Sequence, residues 1–241
     1  MIDLHSHVLP GLDDGAADLD ESLAICRAAA VDGIRVLAAT PHVRDDYPTT
    51  PDEMEAALAR VRERVGDTVE LVPGGELDLA ELDRADVARF ALGGGSYLLV
   101  ETPYVGWPLD LGERLFRLRV AGHGVVLAHP ERNADVQARP ELLEQLVASG
   151  VLVQLTAASV DGRLGSRARR CSQALLERRL AHLVASDAHA PSIRAIGMRA
   201  AAAAVGEPLA RWLTEDVPRA VLDGGTVPPR PDPRPRRWWS R

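Results

Sequence analysis

Two histidines one residue apart, His5 and His7, open this chain, and a turn carrying the carboxylates Asp13 and Asp14 follows closely in the stretch HSHVLPGLDDG. If Met1–His5 is a strand entering that turn, alternation of side chains puts both imidazoles on one face. Neutral imidazoles beside a carboxylate suit a divalent cation of intermediate softness. An isolated His-x-His is a weak signal, but the same residue types recur along the chain. His42 ends Thr40-Pro41-His42, Glu76 ends Gly74-Gly75-Glu76, and Glu101 opens Glu101-Thr102-Pro103. His129 opens His129-Pro130-Glu131-Arg132, and Asp187 and His189 share Ser186-Asp187-Ala188-His189. With Asp14 the set holds five histidines and four carboxylates. That is too many for one ion. It is enough for three ions at three protein ligands each, with positions left for water and substrate. The set contains no thiolate, so manganese, iron and zinc all match its donors. Three divalent ions would leave it net positive and attractive to a phosphate.

Such a set works only if the fold brings it together, and the periodicity predicts how. Strands are expected over Met1–His5, Ile34–Ala39, Val69–Val72, Tyr97–Val100, Gly124–Ala128, Val151–Leu155 and His182–Ala185. Between them lie helical patterns. The first starts from an Asp18 or Asp20 cap and runs to Asp32, with Gly33 closing it. The second starts from the capping box Thr50-Pro51-Asp52-Glu53 and runs to Val65. Further helices are predicted over Leu79–Leu92, Leu111–Gly122, Pro140–Ser149, Arg167–Arg179, Ser192–Val205 and Pro208–Leu222. Regular strand–helix alternation predicts an α/β, TIM-like parallel barrel, a single domain over residues 1–225. In such a barrel the carboxyl ends of the strands share one rim, where the nine candidate ligands would meet. His123 and His182 fall elsewhere and read as structural or surface residues.

Composition narrows the function classes. A formal charge of −7 argues against a nucleic-acid binder. All 28 basic residues are arginine, which removes lysine Schiff-base chemistry. Cys26 and Cys171 read as buried, reduced thiols. Neither begins a Cys-x5-Arg phosphate loop, because the sixth residues on are Asp32 and Glu177. No apolar run nears the roughly 18 residues of a membrane span, and no secretory leader pattern is visible, so the expectation is cytoplasmic. Residues 226–241 are rich in proline and arginine and read as a disordered tail. Its Trp238-Trp239 pair offers a weak contact for an anionic membrane or a partner.

Taken in order, HSHVLPGLDDG, ATPH, GGE, ETP, HPER and SDAH resemble the bacterial metal-dependent protein-tyrosine phosphatases of the PHP superfamily, over residues 1 to about 200. These phosphatases accompany capsule and exopolysaccharide tyrosine kinases. The resemblance implies a distorted seven-stranded barrel and a trinuclear site, usually assigned to manganese. It implies that His5, His7, Glu76 and Asp187 hold one ion. Glu76 would bridge to a second held by Glu101 and His129, and Asp14, His42 and His189 would hold the third. Arg132 and Arg194 would contact the phosphate. The implied reaction is hydrolysis of phosphotyrosine on a protein, foremost a tyrosine kinase. The alternatives are a small-molecule phosphatase acting on a compound such as histidinol phosphate, and a non-catalytic phosphotyrosine-binding adaptor.

Overall fold

The computed structural model describes residues 1–190 and 195–232. Arg194 and the Trp238-Trp239 pair lie outside the described residues. The strands are β1 Ile2–Asp3, β2 Val36–Ala39, β3 His42–Arg44, β4 Tyr47–Pro48, β5 Glu70–Pro73, β6 Glu76–Leu77, β7 Tyr97–Glu101, β8 Gly124–Ala128, β9 Leu152–Thr156 and β10 Leu183–Ala185. They form two sheets, β1-β2-β5 and β10-β9-β8-β7-β6-β3-β4. All pairs are parallel except the β3–β4 hairpin. A parallel bridge between Ser6 and Ala188 links the exits of β1 and β10. There the His7 amide donates to the Ala188 carbonyl at 2.8 Å, and the Asp187 amide to the His5 carbonyl at 2.9 Å.

The two sheets also share chain segments. Expected strand two continues past Thr40-Pro41 as β2 and then β3, and strand three continues past Gly74-Gly75 as β5 and then β6. The first half of each pairs in one sheet and the second half in the other. Pro41 has no amide to keep a ladder going. Gly75 permits a close approach of Phe90, whose ring would lie 2.7 Å from any Cβ placed there. Apart from the hairpin strand β4 and much of β5, the strands are almost wholly buried, as in a parallel sheet covered on both faces.

The covering helices include α1 Leu19–Asp32, α2 Pro51–Val65, α3 Leu111–Val120, α4 Ala134–Ala138, α5 Glu144–Ala148, α6 Ala157–Asp161, α7 Ser166–Glu177 and α8 Met198–Val205. Asp18 caps α1 by accepting from the Glu21 amide, and Gly33 closes it with a left-handed φ of 90°. Thr50 and Glu53 make the predicted reciprocal capping box of α2. The final helical run, Leu209–Arg211, Trp212–Asp216 and Val217–Leu222, widens to a π-turn in its middle.

One predicted helix is absent. Leu79–Leu92 is instead a series of single 3-10 turns, Leu79–Glu81, Val87–Phe90 and Leu92–Gly94. The Asp78 side chain accepts from the Ala80 amide, and Arg84 pairs with both Glu81 and Asp86. Short polar side chains that bond locally compete with helix continuation. Beyond residue 225 the chain still packs on the domain. Trp212 Nε1 donates to the Pro228 carbonyl at 2.9 Å, and Arg230 Nη2 to the Leu176 carbonyl at 2.8 Å.

Candidate metal centre

The centre is built outward from Ser6. Its amide donates to Thr40 Oγ1 at 3.0 Å and its hydroxyl to the Ala38 carbonyl at 2.6 Å. This fixes the middle residue of His-Ser-His to β2 and turns both imidazoles to the other side. His5 Nδ1 lies 3.1 Å from Gln154 Oε1, and His7 Nδ1 lies 2.7 Å from Asp13 Oδ2. Both partners are acceptors, so each Nδ1 carries a proton, which leaves Nε2 as the ring nitrogen available to a metal. The His129 amide also donates to Gln154 Oε1, at 3.2 Å, which orients that amide oxygen. The two Nε2 atoms stand 3.2 Å apart.

Glu76 on β6 occupies the middle. Its Oε2 is 3.2 Å from His5 Nε2, 3.3 Å from His7 Nε2 and 3.0 Å from His42 Nδ1, while Oε1 is 2.8 Å from His129 Nε2. Asp187 Oδ1 lies 3.6 Å from His5 Nε2 and 3.3 Å from His7 Nε2. Glu101 Oε2 is 3.7 Å from His42 Nδ1. At the open side Asp14 Oδ1 is 3.1 Å from His189 Nε2 and 3.5 Å from His42 Nε2. All nine expected ligands therefore meet. Four overlapping groups have ligand atoms within 4.8 Å of one another: His7, Asp14, His42 and His189; His5, His7 and Asp187; His5, Glu76 and His129; and His42, Glu76 and Glu101. Membership differs in detail from the expected partition, because His7 also joins the Asp14 group and His42 also faces Glu101.

The backbone bends to aim these groups. His129 and Asp187 adopt left-handed φ values of 31° and 53°, a region non-glycine residues seldom enter and one that gathers at functional sites. Gly15 closes the DDG turn against His7, whose carbonyl oxygen would lie 2.2 Å from a Cβ there.

Charge in the centre is unbalanced. Burial opposes ionisation of Glu76, yet His5, His129 and His42 hold it well below the usual carboxylate range. Burial likewise opposes ionisation of Asp187, and His5 and His7 outweigh it. Glu101 goes the other way, pushed up to about 8 by burial and by the negative Glu76. His7 is raised well above its ordinary value because Asp13 outweighs burial, whereas burial lowers His129 to about 4. In the protein alone, protons supply compensation that a cation would supply better. His42 Nδ1, Glu76 Oε2 and Glu101 Oε1 are buried and make no hydrogen bond among the described residues. Converging donors of this kind fit divalent metal.

Arg132 reaches the same centre, with Nη1 2.5 Å from Asp187 Oδ2 and its guanidinium 4.8 Å from the centroid of the Tyr104 ring. Arg194, its expected companion, lies outside the described residues. The sequence reading missed several supporting groups. Asp13, besides holding His7, accepts from the His42 and Gly15 amides. Its neighbour Asp14 was the expected ligand, and nothing in an Asp-Asp pair says which member turns inward. Gln154 had a signal, being a lone amide in an apolar strand. Arg44, with Nη1 3.5 Å from Glu101 Oε2, sits on an unpredicted hairpin. Both cysteines are buried and free, and burial pushes each thiol up to about 12.

A buried histidine–carboxylate cluster gathered among parallel strands, with donors that suit a divalent cation, defines the class as an α/β protein with a candidate metal centre. Residues 1–221 match the family model for capsular polysaccharide synthesis proteins CpsB/CapC, and the chain belongs to that family. It is 36% identical over 196 residues to the tyrosine-protein phosphatase YwqE of Bacillus subtilis, covering 78% of this chain and 77% of that one. Its identity to the tyrosine-protein phosphatase CpsB of Streptococcus pneumoniae is 28% over 240 residues, covering 92% and 98%. The fold matches a crystal structure from work on YwqE of B. subtilis and CpsB of S. pneumoniae, described as unique metal-dependent tyrosine phosphatases. That match has a TM-score of 0.89 at 33% identity and covers 97% of this chain and 100% of the other.

Proposed function

We propose that this chain is a metal-dependent protein-tyrosine phosphatase acting in capsule or exopolysaccharide synthesis, with a phosphorylated tyrosine kinase as its substrate. The observation that carries this reading is the meeting of nine ligand-type side chains around Glu76, in a chain related to named tyrosine-protein phosphatases. The reading takes the two sheets as one distorted seven-stranded barrel, closed through the Ser6–Ala188 bridge and the shared β2–β3 and β5–β6 segments, and it places the protein in the cytoplasm. Among the described residues no helix is long and apolar enough to cross a membrane.

His5, His7, Glu76 and Asp187 would hold one ion, Glu76, Glu101 and His129 a second, and Asp14, His42 and His189 a third, with manganese the first choice and iron or zinc compatible. Bound there, divalent ions would supply Lewis-acid charge for phosphoryl oxygens and an acidified water. Around them the chain's own groups orient and neutralise. Asp13 and Gln154 hold His7 and His5 with Nε2 turned inward. Arg132, with Arg194 as the proposed second donor, binds the phosphoryl oxygens and stabilises their charge in the transition state. A tyrosine phenol has a pKa near 10, so its departure needs less protonation than that of an alkyl alcohol.

The test is metal-reconstituted protein assayed side by side on a phosphotyrosine peptide and on histidinol phosphate. Preferential turnover of the peptide is expected. A wide preference for histidinol phosphate would overturn the protein-phosphatase reading while leaving the metal centre in place.

A further inference from the structure

The loop that follows Glu101 is apolar where it meets water. Tyr104 keeps 41% of its surface exposed, Val105 79%, and Leu109 is fully exposed, while Trp107 packs partly against the core. Exposed apolar side chains grouped beside a buried polar centre are unusual, and scattered surface hydrophobics do not account for them. The Tyr104 ring lies beside that centre. The Arg132 guanidinium stands 4.8 Å from its centroid, and the His129 ring is stacked 6.1 Å away at 13°.

A second residue holds the loop in this position. Asn133 is buried, and its amide Nδ2 donates to the carbonyls of Pro103 at 2.6 Å and Gly106 at 3.1 Å. Its Oδ1 meanwhile caps α4, accepting from the amides of Asp135 at 2.8 Å and Val136 at 3.0 Å. The Ala134 amide donates to the Tyr104 carbonyl at 2.9 Å. One side chain thus ties the loop rigidly to the segment that carries His129 and Arg132.

We propose that Tyr104 is a specificity-determining residue, an aromatic wall for the substrate's phenyl ring, and that Asn133 is the positioning residue that sets it. The inference rests on the phosphatase reading and deepens it. In an aryl phosphate the ring is separated from phosphorus by a single ester oxygen, so a phosphoryl group held at Arg132 brings the ring to Tyr104. Aromatic pairs prefer offset or edge-to-face contact, and their coupling corresponds to about 3–10-fold in binding. An alkyl phosphate of the same charge gains nothing from this wall.

The experiment uses the metal-loaded full chain and compares competitive inhibition by phenylphosphonate and methylphosphonate, with a chromogenic aryl phosphate as the reporter. No bond is broken in either inhibitor, so the ratio of their Ki values reads ring recognition apart from chemistry. Wild type should favour the phenyl compound. Tyr104→Ala should cut that preference about 3–10-fold, and Tyr104→Phe should restore it. Asn133→Asp keeps a capping oxygen but loses the amide donor. It should reduce the preference in the wild-type background and have no further effect on it in Tyr104→Ala. An unchanged ratio in folded, metal-replete Tyr104→Ala, or a loss in Tyr104→Phe equal to that in Ala, would overturn the inference alone. Failure of wild-type holoenzyme to turn over any aryl phosphate would overturn the phosphatase reading and this inference with it.

Discussion

The two ends of the strands handle charge in opposite ways. At the end where the strands begin, the Met1 ammonium lies 3.6 Å from Glu215, Arg35 also pairs with Glu215, and Arg199 donates to carbonyls at the end of α1. The two contacts of Glu215 are pairs of opposite charge, matched locally and, at Arg35, well exposed. Such pairs add about 1 kcal/mol or less each. At the other end, Glu76, Glu101 and Asp187 are buried together among five histidines, and the backbone at His129 and Asp187 enters the left-handed region. Glu76 is held well below the usual carboxylate range by its histidines, while burial and the negative Glu76 push Glu101 up to about 8. The first end is complete as protein. The second gathers donors that fit a divalent cation, and this difference separates structural ion pairs from a candidate metal centre.

The sharpest way to break the contrast is to remove its middle. Glu76→Ala deletes the carboxylate that faces four histidines, so elemental analysis should find the metals depleted and aryl phosphate turnover down by well over about 100-fold, beyond the loss typical of outer partners. Retained metal and rate would show that Glu76 only fills space. Arg132→Ala should keep its metals and lose about 10²–10³ in rate, as expected for a donor acting on transition-state charge. Metal loss equal to that in Glu76→Ala would mean that the arginine's pairing with Asp187 is its principal role. Asp13→Ala tests support for a ligand in place of the ligand itself. Metal affinity should fall about 10–100-fold and added manganese should recover turnover, whereas indifference to metal concentration would count against a role for Asp13 through His7. Smallest of all, Glu215→Ala should lower stability by about 1 kcal/mol or less and leave turnover alone, measured by thermal melting beside the activity assay.

Much of this organisation is legible in the sequence. Strand–helix alternation identified the parallel α/β character, and the expected ligands, eight from strand ends and Asp14 from the DDG turn, lie together in the structure, because period-two alternation and parallel order leave those residues few other places to go. What escaped was set by local competition or by distant packing. Over Leu79–Leu92 the apolar spacing reads as helical, but the chain runs as separate 3-10 turns in which Asp78 and Arg84 bond to nearby groups. The β3–β4 hairpin and the division of two strands at Thr40-Pro41 and Gly74-Gly75 depend on which sheet each half joins, a tertiary matter. Asp13 and Asp14 are chemically identical neighbours. Contacts from distant residues separate them: Asp13 meets His7 Nδ1 and the His42 amide, while Asp14 faces His189 and His42 at the open side. Asn133 illustrates the same point, since an N-cap signature gives no hint that the other half of the amide holds a loop.

The central claim is that the unbalanced end works through bound divalent ions. Its most direct test is to strip the purified protein with a chelator, verify metal content by elemental analysis, and measure turnover of a phosphotyrosine peptide before and after stepwise return of manganese. The account predicts no turnover in verified metal-free protein and recovery that follows metal occupancy, with thiol alkylation having little effect because both thiols are buried. Full activity in protein shown to be metal-free would contradict it.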